Sequence, residues 1–276
     1  MRRGPLQAVI LPMTSFKDLN DFPEDLRDLI PKRFDVIGDV AVVSIPPELV
    51  DHKFSVAEYV ASRRGNIRGV LNKVTKLEGD HRVAGFELLL GDSSLTTHTE
   101  FGMLYKMDLK DVFFNGRLAF ERKRVSSQVQ QGEDVLVPFC GVGPFAIPAA
   151  AKGAKVVALE KNPAACKWLG ENIKLNHVGD NISPVLADAS FIENMLDAKF
   201  DRVIIPTPYG MDRFLEDVLP LVRSGGYLHF CTFKTREQIE GLMGKYSDMG
   251  LNVISHRRCG NVAPGVSRWV FDMVKV

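Results

Sequence analysis

Short apolar runs alternating with amphipathic stretches set the rhythm of the chain from Asp134 onward. Val135-Leu136-Val137 is too short for a helix and β-branched enough for a buried parallel strand. A glycine turn follows at Gly141-Val142-Gly143, and Phe145 to Ala151 is an apolar segment of helical composition closed by Gly153. Lys155 to Leu159 is a second β-branched run, ending in Glu160. The order strand, glycine turn, helix, strand, acid predicts a βαβ unit. The alternation then repeats. A helix is expected over Pro163 to Leu175, with proline at its first position. A third strand ends at Ala187-Asp188, and a fourth runs from Arg202 to Ile205 before Pro206-Thr207-Pro208-Tyr209-Gly210. Met211 to Val222 reads as a helix, Ser224-Gly225-Gly226 as a turn into a strand from Tyr227 to Phe233, and Thr235 to about Met249 as a helix. Strands Leu251 to Arg257 and Val266 to Val274 finish the chain. The pattern is α/β, a doubly wound sheet of about seven strands.

The first hundred residues have a different texture. A short helix is expected from Phe22 to Ile30, with acids in its first turn. Gly38-Asp39 turns into a strand from Val40 to Ile45, ended by Pro46-Pro47, and Lys53 to Arg64 reads as a helix. Val70-Leu71, Phe86 to Leu90 and Leu95 to Thr99 read as short strands. This predicts a small α+β domain over residues 1–98, preceding a second domain over 99–276. Met103 to Asn115 is expected as a hairpin or linked strands, including Val112-Phe113-Phe114. Arg117 to Val129 reads as a helix and as the hinge between the domains.

Composition narrows the class. The chain is 45% hydrophobic and 25% charged, with a formal net charge of +1. That balance suits a globular protein and places any polyanion site in a local patch rather than a whole-molecule field. The four cysteines, Cys140, Cys166, Cys231 and Cys259, form no CxxC pair and read as thiols in a reducing compartment. There is no apolar leader and no run long enough to span a bilayer, so a cytosolic protein is expected. A monomer without bound metal is expected as well.

The βαβ unit carries the candidate chemistry. Its glycines let backbone approach a ligand, the helix start offers free N–H groups, and Glu160 can accept both ribose hydroxyls. A dinucleotide fingerprint would place a third glycine where Ala146 stands, and no P-loop lysine follows. The acid lies 17 residues beyond Gly143, which fits S-adenosylmethionine better than NAD. The plain alternative is a Rossmann-like turn that binds nothing.

With these residues in view, CGVGPFAIP, LEKNPAACKWLGENIKLN, VLADAS and NGRLAFERKRV together resemble the archaeal and eukaryotic tRNA guanosine-37 modification enzymes. That family includes the tRNA guanine N1-methyltransferases and the wybutosine-pathway enzymes that transfer an aminocarboxypropyl group from the same cofactor. The resemblance covers roughly residues 22–276. It implies a class I methyltransferase sheet preceded by a small domain that helps form the tRNA site. By motif position it makes Glu160 the ribose-binding acid and Asp188 the adenine-side acid, followed by Ala189. Asn115 and Arg122 fall where members touch the methionine end, and Phe139, Gly141, Gly143, Lys161 and Pro206 complete the expected cofactor set. Glu121 matches the proposed general base for the guanine N1 proton, and Arg82 a cation near guanine O6. Arg117 matches an arginine of the methyltransferase form, where the other branch tends to have asparagine. The plain alternative for Arg117 and Glu121 is an i,i+4 surface ion pair.

The chain also departs from the pattern. Val137-Pro138 stands where the family has an aspartate, and Pro206-Thr207-Pro208 replaces Asn-x-Pro, leaving Thr207 or Tyr209 as substitute hydrogen-bond partners. The sequence as read has no counterpart of the extra N-terminal domain of full-length archaeal methyltransferases, a likeness to the aminocarboxypropyl branch. N1-methylation of guanosine 37 is preferred. The alternative is aminocarboxypropyl transfer to the wyosine precursor 4-demethylwyosine in tRNA(Phe), and a third reading is a non-catalytic RNA-binding relative. Candidate phosphate contacts are Arg63, Arg64, Arg68, Lys73, Lys76, Arg122-Lys123-Arg124 and Arg257-Arg258, each of which also reads as a solvated face. Phe114 and Tyr209 are candidates to stack a flipped guanine, or core residues.

Overall fold

The computed structural model describes residues 16–78, 83–195 and 197–276. The chain divides into two units: residues up to Val74 with Phe86–Ser94, and Thr75–Gly85 with Leu95–Val276. In the first, β1 (Asp35–Ile37) and β2 (Val40–Val43) form a hairpin whose turn uses Gly38 at φ 60°. β3 (Gly69–Glu78) pairs parallel to β2, and β4 (Val83–Leu90) completes the sheet order β1-β2-β3-β4. Helix α1 (Lys53–Ser62) buries Val56, Ala57 and Val60 among Ala41, Val43, Leu49, Val70 and Leu89. The short N-terminal helix is a 3-10 helix, Glu24–Leu29.

From Leu95 the second unit continues with the hairpin β5 (Leu95–Glu100) and β6 (Met103–Asp108), and Val112 to Phe114 lie outside any strand. A 3-10 turn at Gly116–Leu118 leads into α2 (Ala119–Ser126), shorter than the helical composition suggested. The large sheet contains β7 (Asp134–Val137), β8 (Lys155–Glu160), β9 (Ile182–Leu186), β10 (Phe200–Ile205), β11 (Val222–Lys234), β12 (Leu251–Ala263) and β13 (Val266–Lys275). Their spatial order is β12-β13-β11-β10-β7-β8-β9. β7 to β11 run parallel to one another, and β13 is antiparallel to both β11 and β12. The strand order reverses between β7 and β10, and ligands of open α/β sheets bind at such a switch point.

Three boundaries differ from the sequence pattern for physical reasons. Helix α6 is only Phe214–Val218, because Leu219–Leu221 tightens into a 3-10 turn around Pro220. Ser224-Gly225-Gly226 is a bulge within β11 rather than a turn before it: Phe200 pairs with Val222 and Arg202 with Tyr227. β12 continues well past Arg257, because backbone pairing to β13 reaches Ala263 although most of the side chains there are exposed and show no strand alternation. The remaining helices are α3 (Ala146–Ala150), α4 (Pro163–Leu175), α5 (Ile192–Met195) and α7 (Gln238–Asp248). No helix among the described residues is long and apolar enough to cross a membrane.

The β5–β6 hairpin is tied to the sheet through asparagines. Asn172 accepts from the Lys106 N–H (2.7 Å) and donates to the Lys106 and Val142 carbonyls. Asn176 accepts from the Leu104 N–H (2.9 Å) and donates to the Leu104 carbonyl (2.7 Å). Four helical residues rise about 6 Å, and two strand residues about 6.7 Å, so two carboxamides at i and i+4 imitate a neighbouring strand. This clamp ties the hairpin that precedes residues 109–122 to the glycine turn after β7 through the Val142 carbonyl.

Candidate active site

The turn after β7 is built around Glu160. Its Oε2 accepts the Gly141 N–H (2.7 Å) and its Oε1 the Asn162 N–H (2.8 Å). Each carboxylate oxygen keeps a second lone pair, so the acid is fixed in place and can still accept hydrogen bonds from a vicinal diol. Phe139 takes φ 54° and packs edge-on to Phe214 at 4.7 Å. Gly141 and Gly143 have φ 57° and 95° but serve different purposes. A Cβ on Gly141 meets nothing within 4 Å, which leaves backbone exposed to a ligand. A Cβ on Gly143 would fall 2.7 Å from Leu169 and 2.8 Å from Ile147, so that glycine serves close helix packing.

Asp188 follows β9 and caps the 3-10 turn Ala189–Phe191 through the Ser190 N–H (3.0 Å). Lys161 reaches it at 2.8 Å, and that ammonium holds the Asp188 carboxyl below the ordinary value. Ala189, the first residue of this turn, is buried, and Pro206 is half-buried at the end of β10. Glu160, Lys161, Asp188, Ala189 and Pro206 therefore share the C-terminal edge of the parallel strands with Phe139, Gly141 and Gly143. The open face at Gly141 and the two acids at adjoining strand ends fit a nucleoside.

The segment 115–122 is held from beneath. Arg122 is only 3% exposed. Its guanidinium pairs with both oxygens of Glu100, one contact being 2.7 Å, and donates to the Asn115 carbonyl at 3.0 Å. Arg122 also lies over the Phe114 ring at 5.2 Å. It thus anchors Asn115, whose side chain caps the next turn by accepting the Arg117 N–H. His98 completes the cluster, 3.2 Å from Glu100. Phe114 is buried against His98 and Tyr105, so of the candidate stacking residues it belongs to the core, while its neighbour Phe113 and Tyr209 are exposed. Thr207 is buried and donates to the Ile205 carbonyl (3.3 Å), which turns its hydroxyl inward. Arg117 is exposed, and Arg82 lies outside the described residues.

Glu121, 4% exposed, receives donors from three directions. Arg124 reaches both of its oxygens, at 2.6 to 3.1 Å. Arg257 lies 3.5 Å away, and the Cys259 thiol donates at 3.7 Å. Burial and the nearby carboxylate push that thiol up to about 11, which keeps it a donor.

Behind Arg124 runs a chain of polar contacts that no sequence motif marks. Arg124 forks onto Asp272, Asp272 accepts from His229 Nδ1 (2.6 Å), and His229 Nε2 lies 2.7 Å from Arg202. Arg202 ends on Glu133 at 2.8 and 2.9 Å. A guanidinium can only donate, so His229 Nε2 must accept, which makes the ring neutral with its proton on Nδ1. Burial accordingly lowers the His229 pKa, and the His229 and Arg124 donors hold the Asp272 carboxyl far below the usual range despite its burial. The available signal was an ionisable residue inside each of three apolar strands: Arg202 in FDRVII, His229 in YLHFCTF and Asp272 in WVFDMV.

Comparison with known proteins adds to this geometry. The family described as the TRM5/TYW2 methyltransferase domain matches residues 96–246, and the TYW2 N-terminal domain matches residues 19–94. The chain is 35% identical over 268 residues to the tRNA (guanine(37)-N(1))-methyltransferase Trm5b of Pyrococcus abyssi, covering 94% of this chain and 79% of that protein. It is 32% identical over 263 residues to the tRNA(Phe) (4-demethylwyosine(37)-C(7)) aminocarboxypropyltransferase of Pyrococcus horikoshii, covering 92% of each. The solved complex of aTrm5 and tRNALeu superposes with a TM-score of 0.84 at 29% identity, over 97% of this chain and 80% of that one.

Proposed function

The chain belongs to the TRM5/TYW2 methyltransferase family, and from that membership we propose that it is an S-adenosylmethionine-dependent transferase that methylates N1 of guanosine 37 in tRNA. The observation that carries the reading is Glu160, fixed by two backbone amides at the end of β8 with lone pairs left for a ribose. Asp188 is the acceptor on the adenine side, and Asn115 and the exposed face of Gly141 flank the remainder. S-adenosylmethionine supplies a methyl group activated by its sulfonium. Glu121 takes the guanine N1 proton, which converts a poor nucleophile into a competent one. Arg117 and Arg82 keep the roles their motif positions imply, as cations toward the guanine and its O6.

A specific observation favours a second reading. The TYW2 N-terminal domain match and the balanced coverage of the aminocarboxypropyltransferase relative both point to that branch. Both reactions draw on the same cofactor site.

Calorimetry with S-adenosylmethionine tests the shared premise. The wild-type chain should bind one equivalent. Glu160→Ala removes a charged acceptor and releases the turn, and should weaken affinity about 30- to 100-fold, or about 2 to 3 kcal/mol. Absence of wild-type binding would leave only a non-catalytic relative.

A further inference from the structure

An exposed strip on the outer side of α2 alternates aromatic rings and cations. Phe120 is 68% exposed and directly precedes the buried Glu121. One helical turn on, Lys123 projects beside it and lies over the Phe101 ring at 4.5 Å. On the other side, the Arg257 guanidinium lies over the Phe120 ring at 6.0 Å. The sequence in space is therefore Phe101, Lys123, Phe120, Arg257, and Arg257 is the same residue that stands 3.5 Å from Glu121.

Phe101 supplies a second, independent observation. It occupies the first position of the two-residue turn between β5 and β6, where Glu100 pairs with Met103. Its φ is 48° and that of Gly102 is 87°, as a hairpin turn with two left-handed residues requires. Asparagine, aspartate or glycine is the ordinary occupant. A phenylalanine held there, and 55% exposed, is a costly choice for folding. Folding alone explains neither the ring nor its exposure.

We propose that Phe101, Lys123, Phe120 and Arg257 form a stacking surface for the unpaired RNA bases that flank the modified nucleotide. Aromatic faces accept any base, and cations between them neutralise the connecting phosphates. The chain carries a net charge of only +1, so this local pairing of rings and cations fits an anionic single strand better than a general electrostatic surface. The inference rests on the tRNA reading above and extends it from the target base to its neighbours.

The test is binding of a synthetic RNA stem-loop whose loop holds unpaired purines on either side of the target guanosine. Phe101→Asn and Phe120→Ala should each weaken binding about 10-fold, within the range for loss of one stacked base. Phe101→Asn should melt no lower than wild type, since asparagine suits the turn, so its lost affinity could not be assigned to unfolding. Lys123→Gln should make the logarithmic salt dependence shallower by about 0.7, as one phosphate contact on a single strand predicts. If the wild type modifies tRNA and both aromatic variants bind the stem-loop as wild type does, the surface is not used and the function stands. If the wild type neither binds the stem-loop nor modifies tRNA, both readings fall. Unchanged RNA affinity, with Phe120→Ala abolishing concentration-dependent self-association, would assign the strip to a second copy of the chain and overturn the proposal.

Discussion

Glu121→Gln should slow methyl transfer in a single turnover by about 100- to 1000-fold while changing S-adenosylmethionine affinity less than about two-fold. A positioned general base contributes a factor of about 10² to 10⁴. The glutamine amide has the size of the carboxylate but cannot take up the guanine N1 proton. It also presents an NH₂ group to a site where Arg124 and Cys259 already donate and the Arg257 cation stands close, so one favourable contact becomes a repulsive one. Glu121 does not touch Glu160 or the cofactor turn through any of these contacts, which is why binding should survive. Rapid-quench transfer paired with calorimetry measures the two separately. An unchanged rate would make Glu121 a structural anchor for Arg124 and remove it from the chemistry.

Asp272→Ala should cost about 3 to 5 kcal/mol of stability, the usual penalty for removing one partner of a buried ionic cluster. For a domain of this size that is a fall of roughly 10 °C in melting temperature. The change leaves the His229 Nδ1 proton without its carboxylate and strips Arg124 of one of its two acidic partners. The pH dependence carries its own signature. Asp272 has a depressed folded pKa, so its contribution is complete above the unfolded value of about 3.9 and is lost as pH falls through the folded one. His229 also has a depressed folded pKa. The unfolded chain takes up its proton near pH 6.5 while the folded chain does not, so stability declines as pH drops below about 6.5. Thermal melts of the wild type should therefore fall in two stages, one below pH 6.5 and one below pH 4. In Asp272→Ala the lower stage should flatten. Equal stability of variant and wild type at pH 7.5 would mean that Arg124 needs only Glu121.

The parallel half of the fold was legible because its signals are local. Pro163 to Leu175 has proline at its start and apolar positions at helical spacing, and the helix has those bounds. Glu160 and Asp188 stood out because β-branched runs end on them, and strand ends are where such sheets bind ligands. What could not be read is pairing between distant residues. The ion pair of Arg122 could not be foreseen, because nothing in the helix reveals that Glu100 lies beneath it, 22 positions earlier. Phe113 and Phe114 are adjacent and chemically identical, and only the chain path decides which one is buried. β12 ran past its apolar stretch because backbone hydrogen bonds, which no side chain encodes, continue to Ala263. Arg202, His229 and Asp272 were visible as oddities in apolar strands, but their alignment depends on the register that places His229 opposite Asp272.

The measurement that bears most directly on the account is a two-label transfer assay. Unmodified tRNA and tRNA carrying the tricyclic wyosine precursor are each incubated with the chain and S-adenosylmethionine labelled on the methyl or on the carboxyl carbon. The account predicts methyl label entering guanosine 37 of the unmodified tRNA. Carboxyl label entering the precursor tRNA, with no methyl transfer, would contradict it and place the chain in the aminocarboxypropyl branch.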